Sequence, residues 1–287
     1  MILVDLNQVM ISNLMKQIGG KSNVAIEEDL VRHMVFNSLR MYRTRFFKDY
    51  GELVICCDDR DYWRRQIFPY YKVHRKKDRE ESALDWNTIF TVLNGVRDDI
   101  REQFPYKVIQ VDHAEADDII GTLCHRFGHL GIKNGSAESI LILSSDKDFV
   151  QLVTDKIILY RPMEKEYYNT ETVLEKFGVL SENFILYKTL LGDNSDKIPG
   201  VKGLGEKGIF KKFPELKTQV LTLEDIFDIS ARKFKEHVVY SRIVQNRTQL
   251  ENSYKIMDLS IPMVDQQQIE YLDYLIDEKF PDLNTKL

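Results

Sequence analysis

The chain has 287 residues, 43% hydrophobic and 30% charged, enough apolar side chain for one large core or two modest ones, which excludes bulk disorder. No apolar run approaches the roughly 18 residues of a membrane span, and the opening Met1-Ile2-Leu3-Val4-Asp5 has no basic leader, so a cytoplasmic protein with no membrane partner is expected. The net charge of −5, taken alone, argues against nucleic acid, and Cys56, Cys57 and Cys124 lack metal-ligand spacing.

Five short apolar runs, at 2–6, 53–58, 107–112, 139–144 and 156–161, read as buried strands. Between them lie segments of helical period. In 27–47 the stripe Leu30, Val31, Met34, Val35, Leu39, Met41 and Tyr42 predicts one buried face. In 82–103, Ser82 followed by Asp85 resembles a capping box; 115–127 and 147–153 are shorter helices. This alternation predicts an α/β fold, a mostly parallel sheet with helices on both faces. After residue 180 strand signals stop. Ser181 is expected to cap a helix through Leu191, and helical patterns continue at 205–213, 230–248 and 266–279. The division expected is 1–180 as the α/β core and 181–287 as a helical annex.

Acidic residues collect at the ends of the strands: Asp5, Asp58, HAEADDII at 113–120 and SSDKDF at 144–149, with Asp193 and Asp196 following the first annex helix. Ligands of open α/β sheets bind outside the carboxyl strand ends, so these acids should converge. Any one of them is as readily a turn or helix cap. Together they cannot all ionise without cations. Hard oxygen donors select Mg²⁺ or Mn²⁺, and two such ions about 4 Å apart serve phosphodiester hydrolysis. Glu115 and Asp117 can converge if Glu115 sits at the non-helical entrance of its helix.

Charge is unevenly distributed. Residues 64–79 hold Arg64, Arg65, Lys72, Arg75, Lys76, Lys77 and Arg79 against Asp78, a local +6. Residues 197–212 hold five lysines against Glu206, a local +4, which leaves −15 on the rest of the chain. The first patch is interleaved with Tyr62, Trp63, Phe68, Tyr70 and Tyr71, the footprint of single-strand binding. The second lies in GDNSDKIPGVKGLGEKG, 192–208. Gly200, Gly203 and Gly205 let the backbone approach a phosphate, and Lys202 and Lys207 flank it; this suits a duplex-backbone grip and is not a Walker loop.

YWRR followed by YYK, EADD, SSDKDF and the glycine loop together resemble the structure-specific 5′ nuclease (flap endonuclease) superfamily, and within it the ribonuclease H branch of T-even bacteriophages. The likeness runs from Asp5 to about Lys212. It implies a basic arch at 60–85 and a helix–three-turn–helix duplex clamp at about 183–213. It implies Asp5, Asp58, Glu115 and Asp117 at a first metal, and Asp146, Asp148, Asp193 and Asp196 at a second. Asp118 is a further acid of that set, placed behind it. Arg64 and Lys72 match groups that contact the scissile phosphate, while Arg65, Arg75, Lys76 and Lys77 fall in the arch. The glycine loop matches a site that in several relatives also holds K⁺. Lys197 stands where Asn is common and Gly208 where Thr or Ala is common, departures that bear on the K⁺ rather than on the grip.

The resemblance implies a monomeric, phage-encoded Mg²⁺-dependent 5′→3′ exonuclease and flap endonuclease with ribonuclease H activity. It would act on branched or nicked DNA and RNA–DNA duplex, with a sliding clamp and single-strand-binding protein as further partners. A PIN-type ribonuclease would not need the glycine loop. A non-catalytic junction binder should have lost acids. A haloacid-dehalogenase-type phosphatase needs a second Asp where Asn7 stands.

Overall fold

The computed structural model describes residues 1–19, 26–129, 137–260 and 265–277. Strand β1 (Ile2–Asp5) is buried throughout and ends on Asp5, whose carboxylate caps helix α1 (Leu6–Ile18) by accepting from the Gln8 amide at 3.1 Å. This helix has no Gly or Pro break before it, so nothing in the sequence marks where strand becomes helix. Helix α2 (Glu28–Tyr50) buries Val31, Val35, Leu39, Tyr42 and Phe46. The expected stripe is corrected: Leu30 and Met41 are exposed, because they lie off that face.

Strands β2 (Leu53–Cys57), β3 (Lys107–Gln110), β4 (Ile140–Leu143) and β5 (Ile157–Arg161) join β1 in the order β3-β2-β1-β4-β5, all parallel. A sixth strand, β6 (Glu166–Tyr168), closes the edge antiparallel to β5. It was not predicted, being three residues long with no apolar run. Alternate strand residues feed opposite cores. Val4, Ile55, Cys57 and Leu143 pack with α1, α2 and α5 (Trp86–Gln103), whereas Leu3, Val54, Cys56 and Ile142 pack toward α6 (Ala116–Leu123) and the carboxyl-terminal helices. The true cap of α5 is Asp85, accepting from Asn87 and Thr88 amides, which corrects the Ser82 capping box. Between β2 and α5 the chain forms the short helices α3 (Arg64–Ile67) and α4 (His74–Glu80).

Beyond β6 come α7 (Thr170–Phe177) and α8 (Phe184–Leu191), which begins after a 3₁₀ turn at Ser181–Asn183 rather than at a Ser181 cap. A two-residue ladder, β7 (Gly192–Asp193) with β8 (Ile198–Pro199), leads to α9 (Glu206–Lys212). The segment 147–153 is a 3₁₀ turn, Asp148–Leu152. The helix expected at 230–248 is instead two, α10 (Leu223–Arg232) and α11 (Val238–Gln245), followed by α12 (Arg247–Met257) and α13 (Gln266–Asp277). The larger apolar cluster runs without a break from the sheet into these helices. Among the described residues no helix is long and apolar enough to cross a membrane.

Candidate active site

Strand register brings the first acids together. Asp5 pairs with Cys56 across β1–β2, and Val4 with Leu143 across β1–β4, so Asp58 and Ser144 emerge beside Asp5 at the carboxyl end of the sheet. This is also where the strand order reverses direction from β1, the usual ligand position. Ser144 Oγ donates to Asp5 Oδ2 at 2.9 Å. Asp58 accepts from Asn7 Nδ2 at 2.5 Å and from the Ala116 amide at 2.7 Å. Burial pushes the Asp5 carboxyl up to about 7, and Asp58 and Asp146 add to the push. Asp58 is likewise raised, by burial and then by Glu115 against its hydrogen bonds.

Glu115 caps α6 in extended backbone, as its expected role required, and is 2% exposed. Lys72 Nζ lies 2.6 Å from its Oε1; Arg64 Nη1 (2.7 Å) and Tyr71 Oη (3.1 Å) reach its Oε2. Burial works to raise this carboxyl, but Lys72 and Arg64 outweigh it and hold it low. Lys72 adopts a left-handed φ of 55°, an uncommon conformation for a side-chain-bearing residue and a local strain of the kind found at functional sites. No hydrogen bond or ion pair reaches the Asp117 carboxylate among the described residues. Burial, then Asp146, Glu115 and Asp5, keep its carboxyl well above the usual range against the pull of Lys72.

One expected role changes here, that of Arg64. Arg64 is 2% exposed; Nη1 and Nη2 serve Glu115 and Asp118, and Nε donates to the Ile256 carbonyl. Four of its five N–H groups are spent on these acceptors and the side chain is sealed from solvent, so as placed Arg64 holds the acids from beneath rather than facing a phosphate. Asp118 has both oxygens engaged, by Arg64, Trp63 Nε1 and the Glu115 amide, and stands buried behind the acids as placed.

Asp146 and Asp148 leave β4, and Lys188 of α8 joins Asp148 to Asp193, its Nζ 2.6 Å from Asp193 Oδ2 and also bonded to Asp148 Oδ1. Sequence reading missed Lys188; its helix reads as apolar core, and only packing aims it at Asp148. Burial and Asp146 raise Asp148 to about 6 despite Lys188. Burial opposes the ionised form of Asp193, but Lys188 and Ser195 bring that carboxyl down to about 2. Asp196 does not complete this group. It pairs at 2.8 Å with Arg75, which stays half exposed on the arch segment. Among the described residues no three acidic, His or Cys side chains stand close enough to clasp one ion as placed; lysines and Arg64 are interleaved between them and relieve their repulsion.

A cleft of about 670 Å³ runs from Asp146, Asp148, Lys188 and Asp193 to Gly205 and Glu206 at the start of α9. It links the acids to the glycine loop. There Lys202, Gly203, Gly205 and Lys207 are exposed, and Gly203 has a φ of 82°. Gly200 is needed for another reason: a Cβ on it would lie 2.2 Å from the Leu191 carbonyl carbon, so it packs against α8 rather than approaching a ligand. Lys197 has a φ of 59°, a conformation that Asn tolerates better than Lys. On the arch segment, Arg65 lies 4.7 Å over the Tyr62 ring, and Lys76 and Lys77 extend into solvent.

Residues 2–178 match the family described as 5′-3′ exonuclease, N-terminal resolvase-like domain. The ribonuclease H of Enterobacteria phage T4 is 32% identical over 205 residues, which span 70% of this chain and 62% of the phage protein. A 5′-3′ exonuclease of Buchnera aphidicola is 27% identical over 235 residues, 80% of this chain and 77% of that protein. A variant of the bacteriophage T5 flap endonuclease, solved as a pseudo-enzyme-product complex with DNA and metal ions, shares the fold: TM-score 0.74 over 96% of this chain and 97% of its own, at 18% identity. Fold and match together define the structure-specific 5′ nuclease class. Within that class the chain belongs to the 5′-3′ exonuclease family.

Proposed function

We propose that the protein is a Mg²⁺-dependent 5′ nuclease that hydrolyses phosphodiester bonds at 5′ ends and flaps, removing RNA primers and adjacent DNA in lagging-strand replication. The observation that carries this reading is the gathering of Asp5, Asp58, Glu115, Asp117, Asp146 and Asp148 at one end of the parallel sheet. Burial raises four of these carboxyls. Such a group is short of positive charge, and its oxygen-only donor set suits Mg²⁺ or Mn²⁺. Asp5, Asp58, Glu115 and Asp117 would hold one ion, and Asp146, Asp148 and Asp193 a second. Paired ions of this kind supply water activation and stabilisation of the leaving oxygen.

The chain's own groups supply the rest. Ser144 and the Gln8 amide orient Asp5, while Asn7 and the Ala116 amide orient Asp58. Arg64 and Tyr71 fix Glu115 from below. Lys72, at the rim, is the cation left to meet the scissile phosphate and stabilise its growing charge. Lys202 and Lys207 would hold duplex phosphates, and Arg65, Lys76 and Lys77 the 5′ single strand.

The test is cleavage of 5′- and 3′-end-labelled flap, nicked and RNA-primed duplexes with Mg²⁺, for wild type and Asp146→Asn. Release from the 5′ end by wild type and none by the variant is expected. Cleavage of single-stranded RNA alone, or full turnover by the variant, would overturn the reading.

A further inference from the structure

Helix α11 stands against the glycine loop. Arg242 Nη1 donates to the Lys202 carbonyl at 2.7 Å, and its guanidinium presses so close to Gly203 that a Cβ there would lie 2.9 Å from Nη1. No carboxylate pairs with Arg242 among the described residues, which leaves its remaining N–H groups beside the loop that carries Lys202. Two residues earlier in α11, Tyr240 ties the helix to the end of α9 by donating from Oη to the Lys212 carbonyl at 3.1 Å. The Tyr240 ring also gathers two ammonium groups, Lys212 Nζ at 5.4 Å and Lys233 Nζ at 5.8 Å from its centroid. Lys233 comes from the end of α10, more than twenty residues beyond the basic run of the loop.

Neither lysine is in a salt bridge among the described residues. Glu215 and Glu236 lie within electrostatic reach of Tyr240 without pairing with either. Cations massed without acidic partners repel one another, and an anionic polymer is the ligand that relieves the repulsion. The loop and α9 alone present Lys202, Lys207, Lys211 and Lys212. Arg242 adds a cation beside the loop and Lys233 one beside Lys212, both from elements outside the helix–loop–helix.

We propose that α10 and α11 form a second wall of the duplex track, with Arg242 and Lys233 on backbone phosphates beyond those met by the glycine loop. The inference rests on the nuclease reading and adds to it two nucleic-acid contacts from the carboxyl-terminal third. The partner chemistry is a double-stranded phosphate backbone, since the side chains placed on the track, Lys202, Lys233 and Arg242, are cations of the kind that contact phosphates.

The experiment is a salt titration of binding to a labelled, nicked DNA duplex for the full chain and for Lys202→Ala, Lys233→Ala and Arg242→Gln. Each lost phosphate contact should lower the magnitude of the log K–log salt slope by about 1. Lys233→Ala is the decisive variant: its side chain makes no hydrogen bond to the loop, whereas Arg242→Gln also loosens the Lys202 carbonyl. A lowered slope for Lys233→Ala, with a further drop when Arg242→Gln is added to it, supports the second wall. Wild-type slopes for Lys233→Ala and Arg242→Gln, while Lys202→Ala lowers its own, would end the track at the glycine loop. A loss confined to a single-stranded probe would overturn the duplex assignment. Absence of salt-dependent duplex binding by wild type would instead remove the nuclease reading, and the inference with it.

Discussion

Arg64 clasps Asp118 in a two-point fork, Nη2 to Oδ1 at 2.7 Å and Nη1 to Oδ2 at 2.9 Å, with both side chains all but sealed from solvent. Burial alone would weaken a guanidinium's charge, but Asp118 and Glu115 hold this one firmly protonated. Removing one partner of a buried pair strands the other's charge, at a cost of about 3–5 kcal/mol. Arg64→Ala and Asp118→Ala should each destabilise by that order, and the double variant by much less than their sum. A denaturant-melt double-mutant cycle reads this. Additive losses would mean the fork contributes no coupling and Arg64 is free for another role.

The metal-free protein should lose stability as pH rises. Asp5 is raised to about 7 and Asp148 to about 6, so the folded state keeps protons that the unfolded chain releases near pH 4. A raised carboxyl contributes stability below its unfolded value, and that contribution is lost as pH climbs to the folded value, here between about 4 and 7. Glu115 and Asp193, held low, act oppositely and only under more acid conditions. Asp5→Asn keeps a side-chain oxygen for the Gln8 amide. It should flatten the fall in Tm between about pH 4 and 7 in EDTA, and abolish cleavage with Mg²⁺. An equal slope in wild type and variant would exclude Asp5 as its source.

Gly200 should tolerate no side chain. Its Cβ would lie 2.2–2.4 Å from the Leu191 carbonyl and the Gly192 amide, backbone atoms that cannot swing aside. Overpacking of this sort costs about 1–3 kcal/mol or more, and here it would part β7 from β8 and shift Asp193. Gly95 in α5 is the control, with ordinary contacts at 3.7 Å; Ala there should stabilise by about 0.5–1 kcal/mol. Thermal melts of Gly200→Ala and Gly95→Ala should therefore move in opposite directions.

Five parallel strands were legible because each is an apolar, β-branched run bounded by polar residues, and the acids were legible because they follow those runs. Glu115 and Asp117 needed one further step, the non-helical entrance that lets two acids face one site, and Glu115 does cap α6. Other features were not legible. Charge at position 64 is visible in the sequence, but the carbonyl that receives Arg64 Nε belongs to Ile256, 192 residues on. No local pattern reports that a basic residue in an exposed-looking run folds inward. Strand β6 is too short to show a period. Asp85 and Ser82 both suit an N-cap, and only the start of α5 at Trp86 decides between them.

Lys188 is the group whose effect on the site is easiest to misjudge. It bonds both Asp148 and Asp193 and accounts for the depressed carboxyl of Asp193. If those oxygens receive a divalent ion, the ammonium competes with it for the same negative charge. A unit charge a few ångströms from an ion is worth a few kcal/mol even at an effective dielectric constant of about 20. Lys188→Met, which keeps the length of the side chain and removes its charge, should therefore bind Mn²⁺ at the Asp148–Asp193 pair about tenfold more tightly or better. The Asp193 carboxyl should rise toward the ordinary range in the metal-free variant. Calorimetric titration with Mn²⁺ measures the first effect and carboxyl-detected NMR titration the second. Weaker Mn²⁺ binding with an unmoved Asp193 would mean that Lys188 is not the charge that balances this pair. Weaker binding with a raised Asp193 would mean that the lysine holds the two aspartates in place for the ion rather than standing in for it.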